Sequence, residues 1–145
     1  MNLIIVGCSR RKRATVTPVP ALDLYEGWCV PALRAEVAGR SDRLAHVRVL
    51  SARHGLIAAT TPLLPYDQVL NRRRALHLRR AVRQAFRTEL SRGDVSDLLL
   101  LLEPRYLRLL GRPDARHPPR AVRWFSHPAR DWDQVHAHLA GWGWQ

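Results

Sequence analysis

The chain carries a single lysine, Lys12, among 24 basic residues, and only 12 acids stand against them. Cysteine is equally scarce. Cys8 and Cys29 are too few for a disulfide framework, and a reduced, cytoplasmic protein is expected. No stretch approaches the ~20 consecutive apolar residues of a membrane span, so no membrane partner is expected. The amino terminus opens on a strand-like run instead of a charged region, an apolar core and a cleavage site, which argues against secretion. The glycines and the adjacent Lys-Ser/Thr pair of a phosphate-cradling Walker loop are missing. No cysteine pair accompanies His117, His127, His136 and His138, and His136 and His138 fall on different sides of a helix, so no metal set forms. No cofactor is expected. Repeats and low-complexity segments are lacking as well, which excludes solenoids and disordered linkers.

What is present is positive charge, a formal +12. Abundant Arg, Ala, Leu, Pro and Trp are what GC-rich codons produce, so the preference for arginine carries little weight. The shortage of acids carries more, because a strongly basic domain attracts phosphates. Nucleic acid is the first expected partner and a nucleotide-sized anion the next. Against the arginine background Lys12 stands out, since a retained ammonium hints at a compact, rotatable donor.

At 145 residues the chain is most simply one domain, 1–145. Leu3-Ile4-Ile5-Val6-Gly7 reads as a buried parallel strand that delivers Cys8-Ser9-Arg10-Arg11-Lys12 to a ligand. A basic loop to Pro20 follows, then a helix from Pro20 with apolar positions at Leu24, Trp28, Ala32 and Ala35, kinked or split by Pro31 and ended by Gly39. Ala45 to Ser51 is a second strand and delivers Ala52 to Ile57. Thr60 to Asp67 is an extended loop with a fixed turn at Pro65-Tyr66-Asp67. Val69 to Arg92 is the clearest helix, with an apolar stripe at Leu78, Val82, Ala85 and Phe86. Asp97 to Glu103 is a central strand, Pro104 to Leu110 a short helix, Arg120 to Phe125 an edge strand and Asp131 to Gly141 a closing helix. Trp142 and Trp144 are expected to fold back on the core. Strands alternating with helices predict an α/β domain: three layers around a mostly parallel, Rossmann-like sheet of four or five strands.

Ligands of open α/β sheets sit outside the carboxyl ends of the strands, which makes the ends of the first two strands one shared crevice. There Ser9 and Lys12 are placed to hold a phosphate. Cys8 reads either as an activated thiol or, preferably, as a small buried strand-end residue. Ser51 and Gly55 form the opposite wall. His54, Asp67 and Glu103 are the candidate proton-handling groups, with a capping histidine and ion-paired carboxylates as the plainer readings. Tyr25 and Tyr66 read as stacking partners for a base or sugar, or as packing residues. Arg72, Arg79, Arg83 and Arg87 line one helix face without acidic partners, either against a phosphate backbone or simply in solvent.

Three segments together resemble a family. Cys8-Ser9-x-x-Lys12, Pro20-Ala21-x-x-Leu24-Tyr25, and Leu50-Ser51-Ala52-x-x-Gly55-Leu56-Ile57 followed by Pro65-Tyr66-Asp67 resemble small bacterial and phage proteins of the DUF6884 type. Within the third segment, Leu50-Ser51-Ala52-x-x-Gly55-Leu56 followed by Pro65-Tyr66 is also similar to the peroxide-stress protein YaaA family. The matched region is about the first half of the chain. The resemblance to YaaA implies an α/β domain and association with nucleic acid, and related domains occur near base-modifying systems. A separate DNA-binding element such as a helix-hairpin-helix has no counterpart in this sequence.

Two functions therefore compete. One is a nucleotide- or nucleic-acid-directed enzyme, with glycosidic-bond or base-transfer chemistry, whose pocket lies at the ends of the first two strands. The other is a non-catalytic DNA- or RNA-binding protein of stress-response type that uses the basic helix face. A third, plainer reading is an interaction domain whose tail, Trp132 to Trp144, docks on a partner or on a second copy.

Overall fold

The computed structural model describes residues 1–144. The elements run β1 (Asn2–Gly7), β2 (Val19–Pro20), α1 (Ala21–Leu24), α2 (Val30–Val37) and α3 (Ser41–Leu44) in the first third. They continue with β3 (Val47–Ser51), β4 (Gly55–Ala58), β5 (Pro62–Leu63) and α4 (Arg72–Gly93). The chain closes with β6 (Asp97–Leu101), α5 (Pro104–Leu110), β7 (Ala121–Phe125) and α6 (Trp132–Gly141). This is a mixed α/β fold. The main sheet has five strands in the order β4-β3-β1-β6-β7, and β2 pairs with β5 in a separate ribbon.

β1 lies between β3 and β6, parallel to both, with Val6 opposite Val49 on one side and Leu101 on the other. β7 joins β6 in parallel, and β4 turns back antiparallel to β3. Leu3, Ile4, Ile5 and Val6 are fully buried, as are Leu98, Leu99 and Leu101, so both faces of the central strands are covered. Uninterrupted apolar strands are what such double burial requires, and each fully buried Leu or Ile contributes about 1.5–3 kcal/mol. α4 packs on α5 and β4 through Val82, Phe86 and Leu90. α6 meets α2, where the His136 ring bonds Glu36. Trp144 is buried and the Trp142 indole donates to Asp97 Oδ2 at 3.0 Å, so the tail does fold back, at the amino end of β6.

Three local expectations change. The helix expected from Pro20 to Gly39 is two helices, and the break falls at residues 25–29, before Pro31. Pro31 sits in the first turn of α2, where a missing N–H does no harm. The break arises because the backbone of Tyr25 and Glu26 is taken by the loop after β1: Lys12 bridges Tyr25, and Glu26 N–H donates to the Arg11 carbonyl at 2.9 Å. α4 begins at Arg72 instead of Val69, since Asn71 caps it by accepting the Arg74 N–H at 2.8 Å. The segment delivered by β3 is itself a strand, β4, opened by Gly55 at φ +74°.

Candidate functional site

From β1 the chain moves to β3 on one side, then crosses back over β1 to form β6 on the other. The carboxyl ends of β1 and β6 are therefore the switch point of the parallel sheet, where connections diverge and leave a crevice. A cleft of about 610 Å³ opens there. The loop after β1 lines it with Cys8, Ser9, Arg10, Arg11 and Lys12. Gly27 and Trp28 contribute from the α1–α2 break, Asp67 to Leu70 from the loop before α4, and Glu103, Arg105 and Tyr106 from the end of β6 and the start of α5.

The loop after β1 is held by its own polar groups. Cys8 N–H donates to Leu50 O at 3.0 Å and so extends the β1–β3 ladder. Ser9 Oγ donates to Arg11 O at 2.7 Å and accepts the Gly27 N–H at 3.2 Å. The Ser9 hydrogen is thus spent on the loop, and Ser9 shapes the cleft instead of offering a donor to a phosphate. Gly27 packs closely on this loop, where a Cβ would stand 3.4 Å from the Cβ atoms of Ser9 and Arg11, ordinary van der Waals contact. Trp28 next to it is left-handed at φ +61°, a conformation that costs an L-residue about 1–2 kcal/mol and that presents the indole to the cleft and to Gly7.

Behind the cleft lies a chain of hydroxyls. Tyr25 and Tyr66 bond each other at 2.6 Å, and Tyr66 bonds Ser51 Oγ at 2.7 Å. Ser51 Oγ also accepts the N–H groups of Arg53 and His54, each at 3.1 Å. With both lone pairs occupied, Ser51 donates to Tyr66 and Tyr66 donates to Tyr25. Burial, with further contributions that include Cys8, pushes the Tyr25 phenol up to about 12 and raises Tyr66 and Tyr106 as well. All are neutral phenols at physiological pH. These are the 3 tyrosines of the chain, and the third of them bonds the strand-end thiol: Cys8 Sγ lies 3.1 Å from the Tyr106 hydroxyl. Lys12 closes the arrangement from the cleft side. Its Nζ donates to Arg10 O at 3.1 Å and stands over the Tyr66 ring, leaving hydrogens for an incoming anion.

The remaining expected residues divide cleanly. Asp67 and Glu103 line the cleft, and among the described residues neither has an ion-pair partner. His54 is exposed, lies edge-on to the Tyr66 ring with centroids 5.3 Å apart, and does not line the cleft. Its pKa is lowered by burial, with Arg53 and Arg74 adding to the effect. Ser51 is fully buried and Gly55 is buried against Val82, so the end of β3 supports the site from behind while the end of β6 forms the second wall. Tyr106, Trp28 and Arg105 were not among the expected residues. Tyr106 could have been found by applying the strand-end rule to Leu102-Glu103 and following the next turn. Nothing local in the sequence signals a left-handed Trp28.

The arginine face of α4 is one wall of a groove of about 620 Å³. Arg72, Arg79 and Arg83 face Arg105 and Arg108 of α5 across a floor of Leu70, Ala75, Leu76 and Leu109. Arg83 is structural in part: it donates to Arg108 O at 3.0 Å and Leu109 O at 3.4 Å. Arg87 donates to Gln84 Oε1 at 2.6 Å and, with Arg83 and Arg112, borders a further hollow. Among the described residues no group of three or more His, Cys, Asp or Glu could hold a metal, and no helix is long and apolar enough to cross a membrane.

Comparison with known proteins adds one match. The profile of the family described as "Family of unknown function (DUF6884)" matches residues 3–121, which takes in the cleft and the groove. No curated protein and no solved structure matches the chain.

Proposed function

Because the chain belongs to the DUF6884 family, a name that assigns no activity, we propose from its own geometry that it is a nucleotide-directed enzyme acting at a glycosidic bond. The observation that carries this reading is the pair of carboxylates, Asp67 and Glu103, without ion-pair partners among the described residues, in a cleft that also bears Arg10, Arg11, Lys12 and Arg105. The cations suit a phosphate, and Trp28 and Tyr106 offer ring faces to a base. Breaking the bond between C1′ and the base nitrogen leaves positive charge on the sugar and needs a proton on the departing base. One group, ionised, stabilises the sugar cation and takes a proton from the attacking water, while the other, protonated, gives its proton to the departing base nitrogen, so that hydroxide ends on C1′ and hydrogen on the base.

Supporting the same reading, the double burial of β1 and β6 and the two helix pairs, α4 with α5 and α2 with α6, favour a three-layered, Rossmann-like domain. The likeness of residues 50–56 and 65–66 to the YaaA family favours a nucleic-acid setting. Two free, buried cysteines favour a reducing, cytoplasmic one.

The test is release of free base from nucleosides, nucleoside monophosphates and short oligonucleotides, followed by chromatography. Glu103→Gln and Asp67→Asn should each abolish release, and Lys12→Ala should weaken binding of phosphorylated substrates. Absence of release together with absence of thermal stabilisation by any nucleotide overturns the reading. A non-catalytic nucleic-acid-binding role is the second reading, favoured by the groove between α4 and α5, whose walls bear no acid.

A further inference from the structure

The cleft and the arginine groove are not separate features. Arg105 and Leu70 line both, and the Arg105 guanidinium donates to Leu70 O at 3.3 Å, pinning the junction. Beyond it the groove runs along α4 to Arg83, which also borders the hollow at Arg87 and Arg112. From Arg72 to Arg83 the groove covers about 16 Å of helix axis, enough for a few phosphates, and the hollow past Arg83 adds Arg87 and Arg112 together with Asp114. We propose that a single-stranded nucleic acid lies in the α4–α5 groove and presents one nucleotide to the cleft, so that the substrate is a base within a strand and not a free nucleotide. This rests on the nucleotide reading of the cleft and names its substrate class.

The cross-section of the groove selects the occupant. Its lining mixes guanidinium groups with the aliphatic side chains of Leu70, Ala75 and Leu76, which suits phosphates on the arginines and base faces on the apolar surface between them. A duplex turns its base faces inward, offers nothing to such a surface, and must extrude a nucleotide before it could enter the cleft. An acidic polypeptide would satisfy the arginines alone. Arg79 and Arg108 are exposed and their guanidinium groups make no hydrogen bond or ion pair among the described residues, so their charge is available.

The experiment measures fluorescence anisotropy of a labelled thymidine single strand, with the same sequence as duplex, polyglutamate as competitor, and thymidine monophosphate followed by thermal shift. Arg79→Glu with Arg108→Glu is compared with Arg40→Glu and Arg130→Glu, which changes the net charge equally on side chains that pair with Asp42 and Asp131. The expected result is single-strand binding weakened at least tenfold by the groove pair and hardly changed by the control pair. The salt slope should flatten by roughly 1.4, about 0.7 for each phosphate that the protein no longer neutralises. Thermal melting of both pairs should match the parent and show that the fold is intact.

Equal weakening by the control pair, equal affinity for the duplex, or equal competition by polyglutamate overturns the proposal. Monophosphate binding with no gain for the strand overturns threading and leaves the cleft reading standing. Strand binding indifferent to Lys12→Ala, with no response to the monophosphate, overturns the cleft reading and the threading that rests on it.

Discussion

The ammonium of Lys12 stands 4.4 Å from the centroid of the Tyr66 ring. Among the described residues no carboxylate pairs with it, so the ring steadies the charge while leaving it available to an anion. Lys12→Met should lower stability by only about 0.5–1 kcal/mol, the size of a cation–π contact at a partly exposed site. It should nevertheless remove most of the thermal stabilisation by nucleotides. Lys12→Arg should restore stability in urea but not the nucleotide response, because a planar fork stacked on the ring cannot turn its donors upward. Full nucleotide binding by Lys12→Arg would contradict the role given to the ammonium.

Ser51 joins the turn after β3 to the tyrosines, accepting two N–H groups and donating to Tyr66. Ser51→Ala leaves these partners unsatisfied in a buried place. A loss of about 2–4 kcal/mol is expected, since each orphaned group costs on the order of 1–3 kcal/mol and some regain water. Tyr66→Phe breaks the same chain in the middle and should cost about 1–3 kcal/mol. The double variant should lose less than the sum, because both act on one network. Additive losses in urea unfolding would show that the bonds are energetically separate.

What the sequence makes legible here follows from locality. β1 and β6 are uniform apolar runs that stop at Gly7-Cys8 and Leu102-Glu103, so their position and the ligand end of the sheet follow from residue type alone. The place of the break in the first helix does not, because residues 11–13 set it at residues 24–26 through backbone bonds to the end of α1 and the residues after it. β4 escapes notice since its Gly55 looks like turn punctuation until β3 pairs with it. In the site, Cys8, Lys12, Asp67 and Glu103 are found from strand ends and rigid turns, whereas the choice of β6 over β3 as second wall depends on strand order. Strand order is a property of the whole sheet and leaves no mark on a single segment.

Burial pushes the Cys29 thiol up from 9.0 to about 12 and the Tyr25 phenol up from 10.0 to about 12. Between these limits the folded protein keeps protons that the unfolded chain releases, so unfolding becomes easier as pH rises. Stability should hold below about pH 9, then decline through pH 12 by at most about 1.4 kcal/mol per pH unit for each group. Cys29→Ala should delay the onset by about one unit, to the range where tyrosine titrates. Urea midpoints across this range check it, and an onset unchanged in Cys29→Ala would show that the thiol does not contribute.

The arginines of α4 look alike in sequence but differ in what they bond. Arg83 holds the last carbonyls of α5 and passes so close to Gly111 that a Cβ there would sit 2.8 Å from its Nε. Arg79, one turn earlier, reaches only the groove. Arg83→Ala should therefore cost about 1–2 kcal/mol, the worth of two hydrogen bonds from a charged donor discounted for partial exposure. Arg83→Lys should not recover it, because one ammonium cannot span both carbonyls in the guanidinium's geometry. Arg79→Ala should leave stability within about 0.5 kcal/mol, as surface substitutions usually do, and weaken only binding of the single strand. Measuring both variants by urea unfolding and by anisotropy separates the two roles. Stability loss from Arg79→Ala equal to that from Arg83→Ala would mean that the face is scaffold throughout, and binding loss without stability loss from Arg83→Ala would mean that its carbonyl contacts are incidental.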